Sequence, residues 1–181
     1  MTELSRVRLH DATVRLDSMP TTGRDVVVAP GEEERAAIAT QLGVTSVTQL
    51  DVTLHAVRFR GGIRVTGRLT AEVTQPSVVT MEPIVQQIAE PVDRIFLPGG
   101  EKDYAGPANA EIFVDLEGDD MPDHFEGNEA DLSDLIVETL ALAVELYPRE
   151  PGASLEDTGF KPDADGGSPF DVLKALKPKE N

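Results

Sequence analysis

Residues 50–83 read LDVTLHAVRFRGGIRVTGRLTAEVTQPSVVTMEP, and this stretch decides the fold. In its second half Ile63, Val65, Gly67, Leu69, Ala71 and Val73 share one parity, while Arg64, Thr66, Arg68, Thr70 and Glu72 share the other. A period of two is the mark of a strand with one face buried. The first half alternates as well, but Leu50, Val52 and Leu54 are even whereas Val57 and Phe59 are odd, so the phase changes. Because paired residues in a hairpin share a face, the loop can be sought by pairing. A two-residue Gly61-Gly62 loop would oppose Phe59 to Arg64 and Arg58 to Val65. A three-residue loop, Arg60 to Gly62, opposes Phe59 to Ile63, Val57 to Val65 and Arg58 to Arg64, with glycine free to take a left-handed conformation. A bulge at His55-Ala56 opposite Thr66 then pairs Leu54 with Gly67, Val52 with Leu69 and Leu50 with Ala71.

Working outward, Leu4 to Leu16 carries the alternation of an opening strand, and Arg24 to Ala29 is a short apolar strand closed by Pro30-Gly31. Glu32 to Leu42 opens with three acids and stops at Gly43, which predicts a helix with Ala36, Ile38, Ala39 and Leu42 on its apolar face. After Pro76, Val78 to Met81 reads as extended, and Ile84 to Glu90 and Asp93 to Leu97 read as two strand pieces divided by Pro91. Glu111 to Leu116 alternates as a last strand. Gly118 to Gly127 is an acidic connection into a helix from Asp131 to Tyr147, with Leu132, Leu135, Ile136, Leu142, Ala143 and Leu146 facing the core and Asp131 near its cap. Few helices and no strand-helix-strand rhythm predict an α+β fold: a curved, mostly antiparallel sheet or partial barrel covered by that helix.

The chain has 181 residues, of which 40 % are hydrophobic, enough for one domain, assigned to 1–149. Residues 150–168 are rich in Gly, Pro and acids and are expected to be a disordered linker. Residues 169–181 form a short amphipathic tail in which Phe170, Leu173 and Leu176 are candidate docking residues, either for a partner or for the chain's own domain. No apolar run reaches the roughly 20 residues of a membrane helix, and no basic flank precedes an apolar segment at the N-terminus, so a cytoplasmic location is expected. Cysteine is absent, which removes disulfides, thiolate metal sites and cysteine nucleophiles.

The net charge of -17 is unevenly spread: residues 99–169 carry net -16 and residues 1–98 only -2. Such a chain suits a basic partner better than nucleic acid at large, because phosphate contacts need Lys and Arg. Two surfaces stand out. Asp119, Asp120, Asp123, Glu126, Asp134 and Glu138 are candidates for binding a basic partner. Arg58, Arg60, Arg64 and Arg68 lie in a stretch with no acid and are candidates for binding RNA. The acidic loop lacks the spacing of a calcium site, the three histidines show no metal or triad spacing, and no phosphate loop, nucleophile elbow or metalloprotease motif is present. No catalytic residue, metal, cofactor, small-molecule substrate or membrane partner is therefore assigned, and the reading is not an enzyme.

Three segments together resemble a family. Gly67 to Val73 followed by Val78-Val79-Thr80-Met81-Glu82-Pro83, then Asp131-Leu132, Val137-Glu138, Leu142-Ala143 and Pro148, and finally Ser168-Pro169-Phe170-Asp171-Val172-Leu173-Lys174-Ala175-Leu176-Lys177 are similar to the YceD-like large ribosomal RNA subunit accumulation proteins. The resemblance implies a non-enzymatic ribosome-biogenesis factor that supports accumulation of the large-subunit ribosomal RNA, with that RNA or a basic ribosomal protein as partner. Many relatives have Cys where Ser77 stands, so nothing that rests on that cysteine carries over. The alternative is an acidic chaperone or interaction module for a basic protein unrelated to ribosomal RNA.

Overall fold

The computed structural model describes residues 6–99 and 122–152, and the expected strand at Glu111 to Leu116 lies outside them. The chain forms β1 (Thr13–Arg15), β2 (Arg24–Val28), α1 (Glu32–Leu42), β3 (Ser46–Phe59), β4 (Gly62–Pro76), β5 (Pro83–Pro98), β6 (Asp123–Phe125), β7 (Glu129–Asp131) and α2 (Ser133–Ala143). The fold is α+β. Five strands make one sheet in the order β2-β3-β4-β5-β6, antiparallel except for the β5–β6 pair, and β1 pairs with β7 in a separate two-stranded ribbon. The sheet is open, with β2 and β6 at its ends rather than paired to each other, so it does not close into a barrel among the described residues.

The hairpin is as long as expected, but its turn has two residues instead of three. Arg60 and Gly61 both take positive φ, 48° and 85°, the geometry that matches the twist of the flanking strands. Phe59 then pairs with Gly62, Arg58 with Ile63, Val57 with Arg64 and Ala56 with Val65, while Leu54 with Gly67, Val52 with Leu69 and Leu50 with Ala71 fall as predicted. The pairing is regular at His55-Ala56, and the irregularity lies between Val47 and Gln49. Thr48, the extra residue, turns its hydroxyl onto Glu72. The change of phase is therefore a real change of side: Ala56 is buried, and Val57 lies half-buried on the opposite face.

That inner face holds the core. Leu50, Val52, Leu54 and Ala56 of β3, Ile63, Val65, Leu69, Ala71 and Val73 of β4, and Ile88, Val92 and Phe96 of β5 are all buried. They are covered by Ile38 and Ala39 of α1, by Leu135, Ile136 and Leu140 of α2 with Leu132 just before it, and by Leu9, Ala12, Val14, Leu16 and Met19 of the N-terminal segment. Two helices thus cover the sheet, where one was expected. The other face is mostly polar, as in antiparallel sheets that meet water on one side, and there His55 Nδ1 lies 2.6 Å from Asp25 Oδ1.

α1 has the expected ends. Glu34 accepts the Gly31 N–H at 2.9 Å at its start, and Gly43 closes it in the left-handed conformation. Other boundaries moved for identifiable reasons. The opening strand shrinks to Thr13–Arg15, because the described residues before it follow an irregular path across the inner face. Val78 to Met81 is not extended: it belongs to a tight connection in which Met81 N–H reaches Ser77 O and Met81 itself has φ 64°. β5 runs unbroken through Pro91, since on that side of β5 the described residues form no ladder beside Pro91 and the missing N–H costs none there. The acidic connection contains a short strand, β6, and a second, β7, lies between it and α2. α2 ends at Ala143 instead of Tyr147, because Gln86 of β5 donates to the Ala143 carbonyl at 2.9 Å and accepts the Glu145 N–H at 3.0 Å, taking both groups from the next helical turn. Leu142, in the last turn of α2, and Leu146, beyond its end, were expected in the core and are exposed.

Gly67 packs so closely on β3 that an added Cβ would lie 2.1 Å from the Thr53 carbonyl oxygen. Gly67→Ala should lower the unfolding free energy by about 1–3 kcal/mol, whereas Gly31→Ala, where an added Cβ would meet no atom closer than 3.9 Å, should leave it nearly unchanged; urea unfolding of the two variants checks this.

Candidate functional site

The four hairpin arginines do not form one basic surface. Arg58 shares the inner-face parity of Ile63, and its guanidinium reaches over the rim of the sheet to donate to the carbonyls of Leu16 and Met19. Arg64 lies on the outer face and grips Asp93 of β5 side-on, Nε at 2.8 Å and Nη2 at 2.7 Å. The expected Arg58–Arg64 repulsion is absent, since the two point to opposite faces. Arg60 stacks over the Phe59 ring, 5.0 Å from its centroid. Arg68 is exposed and has no ion-pair partner among the described residues. Six residues of strand separate it from the turn, about 20 Å at the rise of a β-strand, so Arg60 and Arg68 present no single patch.

The acids behave differently. A groove of about 520 Å³ lies between α2, the end of α1 and β6, and it is lined by Asp123, Asp131, Asp134 and Glu138 over an apolar floor of Leu42, Phe96 and Leu135. Three of the six predicted acids, Asp123, Asp134 and Glu138, are thereby brought together. Glu126 is exposed just past β6 and is not in the lining, and Asp119 and Asp120 lie outside the described residues, as do Phe170, Leu173 and Leu176 of the tail.

The groove takes its shape from the start of α2. Asp131 accepts the Ser133 N–H at 2.9 Å and the Ser133 hydroxyl at 2.6 Å, and Ser133 Oγ in turn accepts the Leu9 N–H at 2.9 Å. This chain of bonds draws the N-terminal segment against α2, where Arg6 meets Asp134 at 3.0 Å and Arg8 meets Asp131 at 2.8 Å. Arg94 of β5 stands 3.8 Å from Asp123. Glu138 has no ion-pair partner among the described residues. Four carboxylates line the groove and three of them pair with the guanidiniums of Arg6, Arg8 and Arg94, which leaves it a net negative charge at Glu138. The Arg6 side chain is 81 % exposed, and an exposed pair of this kind contributes little, so it can yield to a competing cation.

Asp131 and Arg6 were not on the list of predicted binding residues. Asp131 was legible as a helix cap, but nothing local marks residues 6, 41 and 131 as neighbours. Among the described residues, no group of three His, Cys, Asp or Glu side chains is placed to hold a metal ion, and no helix is long and apolar enough to cross a membrane.

A family model, the large ribosomal RNA subunit accumulation protein YceD, matches residues 65–177, more than half of the chain. The protein belongs to this family. The match runs from β4 through α2 to the tail, so it includes all four groove acids and leaves out the N-terminal segment that supplies Arg6. The chain matches no curated protein and no solved structure. The family's name carries a general link to large-subunit ribosomal RNA and its accumulation.

Burial works to raise the Asp131 carboxyl, but the hydrogen bonds from Ser133, with those from Arg8, outweigh it and hold it below its ordinary value. The hydrogen bonds from Arg64 likewise lower Asp93. A carboxylate lowered on folding stabilises above its unfolded value, near 4, and that stability is lost as pH falls through the lower folded value. Asp131→Ala should therefore cost about 1 kcal/mol at neutral pH, as loss of a hydrogen-bonded partner of a buried hydroxyl and a first-turn N–H does. The gap to the parent should close as pH falls below about 4, and chemical denaturation at neutral and acid pH checks both.

Proposed function

We propose that this protein is a non-enzymatic factor of large-subunit ribosome biogenesis, and that it supports accumulation of the large ribosomal RNA by holding a basic ribosomal protein in the acidic groove. The observation that carries this reading is the convergence of Asp123, Asp134 and Glu138, from β6 and α2, over an apolar floor. Such a surface suits a segment that is both cationic and apolar, the chemistry of a ribosomal protein before it meets RNA. Charge complementarity speeds encounter and selects partners more than it deepens affinity, which fits a factor that must later release its cargo. Family membership supports the ribosomal setting. A direct RNA interface on the hairpin is less well supported, since Arg58 and Arg64 already serve the fold.

Asp123→Asn, Asp134→Asn and Glu138→Gln combined should slow association with a basic large-subunit ribosomal protein by about tenfold or more at low ionic strength. The deficit should shrink as salt is added. Asp131 is left in place because it caps α2. Arg60→Gln with Arg68→Gln should leave the rate unchanged or slightly raised; stopped-flow association over a salt series tests both. Unchanged rates in the acid variant would overturn the reading.

A further inference from the structure

Five of the seven large exposed apolar side chains among the described residues lie in two neighbouring segments beyond the groove, and the other two, Val27 and Val85, lie on β2 and β5. Leu142 is 78 % exposed, Leu146 82 %, Tyr147 73 %, Met81 73 % and Val78 53 %. They belong to two segments strapped together: Val78 N–H donates to the Pro148 carbonyl at 2.8 Å, Gln75 donates to the Glu145 carbonyl at 3.1 Å, and the Ser77 and Thr80 hydroxyls both bind the Glu150 carboxylate. Apolar groups held this rigidly in water, in a cluster instead of singly, mark a surface that something covers. Glu82, Glu145 and Glu150 edge the cluster with negative charge.

The described chain ends at Gly152, directly after this strap, and 29 residues follow it. Within them Phe170, Leu173 and Leu176 recur at three-residue spacing, with Lys174, Lys177 and Lys179 interleaved or following. A coil of the 17 residues from 153 to 169 has a root-mean-square span of about 20–25 Å, enough to bring the tail back over a patch that begins beside Pro148. We propose that the apolar cluster of Val78, Met81, Leu142, Leu146 and Tyr147 is the seat for this chain's own tail. Phe170, Leu173 and Leu176 cover it, and the tail lysines face its acidic edge. The seat is separate from the groove and does not depend on what the groove binds. It accounts for an apolar, Lys-bearing end on an otherwise acidic chain and for the exposure of Leu142 and Leu146, which the helical pattern assigns to a core.

The absence of cysteine permits a direct test on the full chain. Asn181→Cys, labelled with a nitroxide, should cause selective loss of methyl signal from Val78, Leu142 and Leu146 in the NMR spectrum, while the methyls of Val14 and Val28 in the core remain. Phe170→Ser with Leu173→Ser in the labelled chain should restore the lost signals, and so should Leu142→Ser with Leu146→Ser for the Val78 methyls. No selective loss, or loss unaffected by either pair, would overturn the proposal. So would loss appearing only when label and isotope are on different chains, because a second copy would then supply the tail.

Discussion

The pairing of β3 with β4 through the Arg60-Gly61 turn is the constraint on which the rest of the structure depends. A side-chain period of two means that a slip of one residue would exchange the two faces of the sheet along its whole length. With two left-handed residues at the turn, Leu50 to Ala56 and Ile63 to Val73 present one apolar face. β2 and β5 extend it on either side by the same register. A one-sided sheet must be covered, and the two helices and the N-terminal segment all settle on that side. The arginines follow from the same register, because it sends Arg58 and Arg64 to opposite faces.

Side-chain hydrogen bonds at two places far apart in sequence set the length of α2, and with it the two surfaces of interest. Asp131 and Ser133 start the helix and tie it to Leu9, which carries Arg6 and Arg8 to the groove. Gln86 stops it a turn before its apolar pattern runs out, by offering its own amide to the groups that the next turn would have bonded. The groove owes its rim to the first event, and the second sends the chain at Leu146 and Tyr147 out of the helix beside the exposed Leu142.

Much of this was legible where the signal is local. α1 could be bounded to the residue because acids begin it and Gly43 ends it. The lower hairpin register was reached through a three-residue loop and a bulge at His55-Ala56 whose errors cancel, and the late helix and the acidic excess around it were plain. The turn was not: the two-residue loop weighed was Gly61-Gly62, with Phe59 opposite Arg64 and Arg58 opposite Val65. The Arg60-Gly61 turn sets Val57 opposite Arg64 and Arg58 opposite Ile63, pairs that would carry the same penalty if the hairpin stood alone. Asp93 from β5 and the carbonyls of Leu16 and Met19 remove that penalty, and they are tertiary partners which no local pattern announces. The early end of α2 has the same origin, since helical periodicity cannot see Gln86. For the site, the sequence singled out the acids but scattered them along a loop and a helix. It could not show that β6 and α2 bring Asp123, Asp134 and Glu138 onto one groove while leaving Glu126 outside.

An anionic groove with an apolar floor can retain a cationic protein segment without chemistry and yield it to RNA, whose phosphates compete for the same cations. The claim that protein, and not RNA, is the direct partner is tested most directly by recovering the full-length protein with its bound material from cell extract, before and after ribonuclease digestion. The account predicts that an identified basic protein of the large subunit stays bound after digestion. Loss of all ribosomal material on digestion would contradict it and return the function to the arginines of the hairpin.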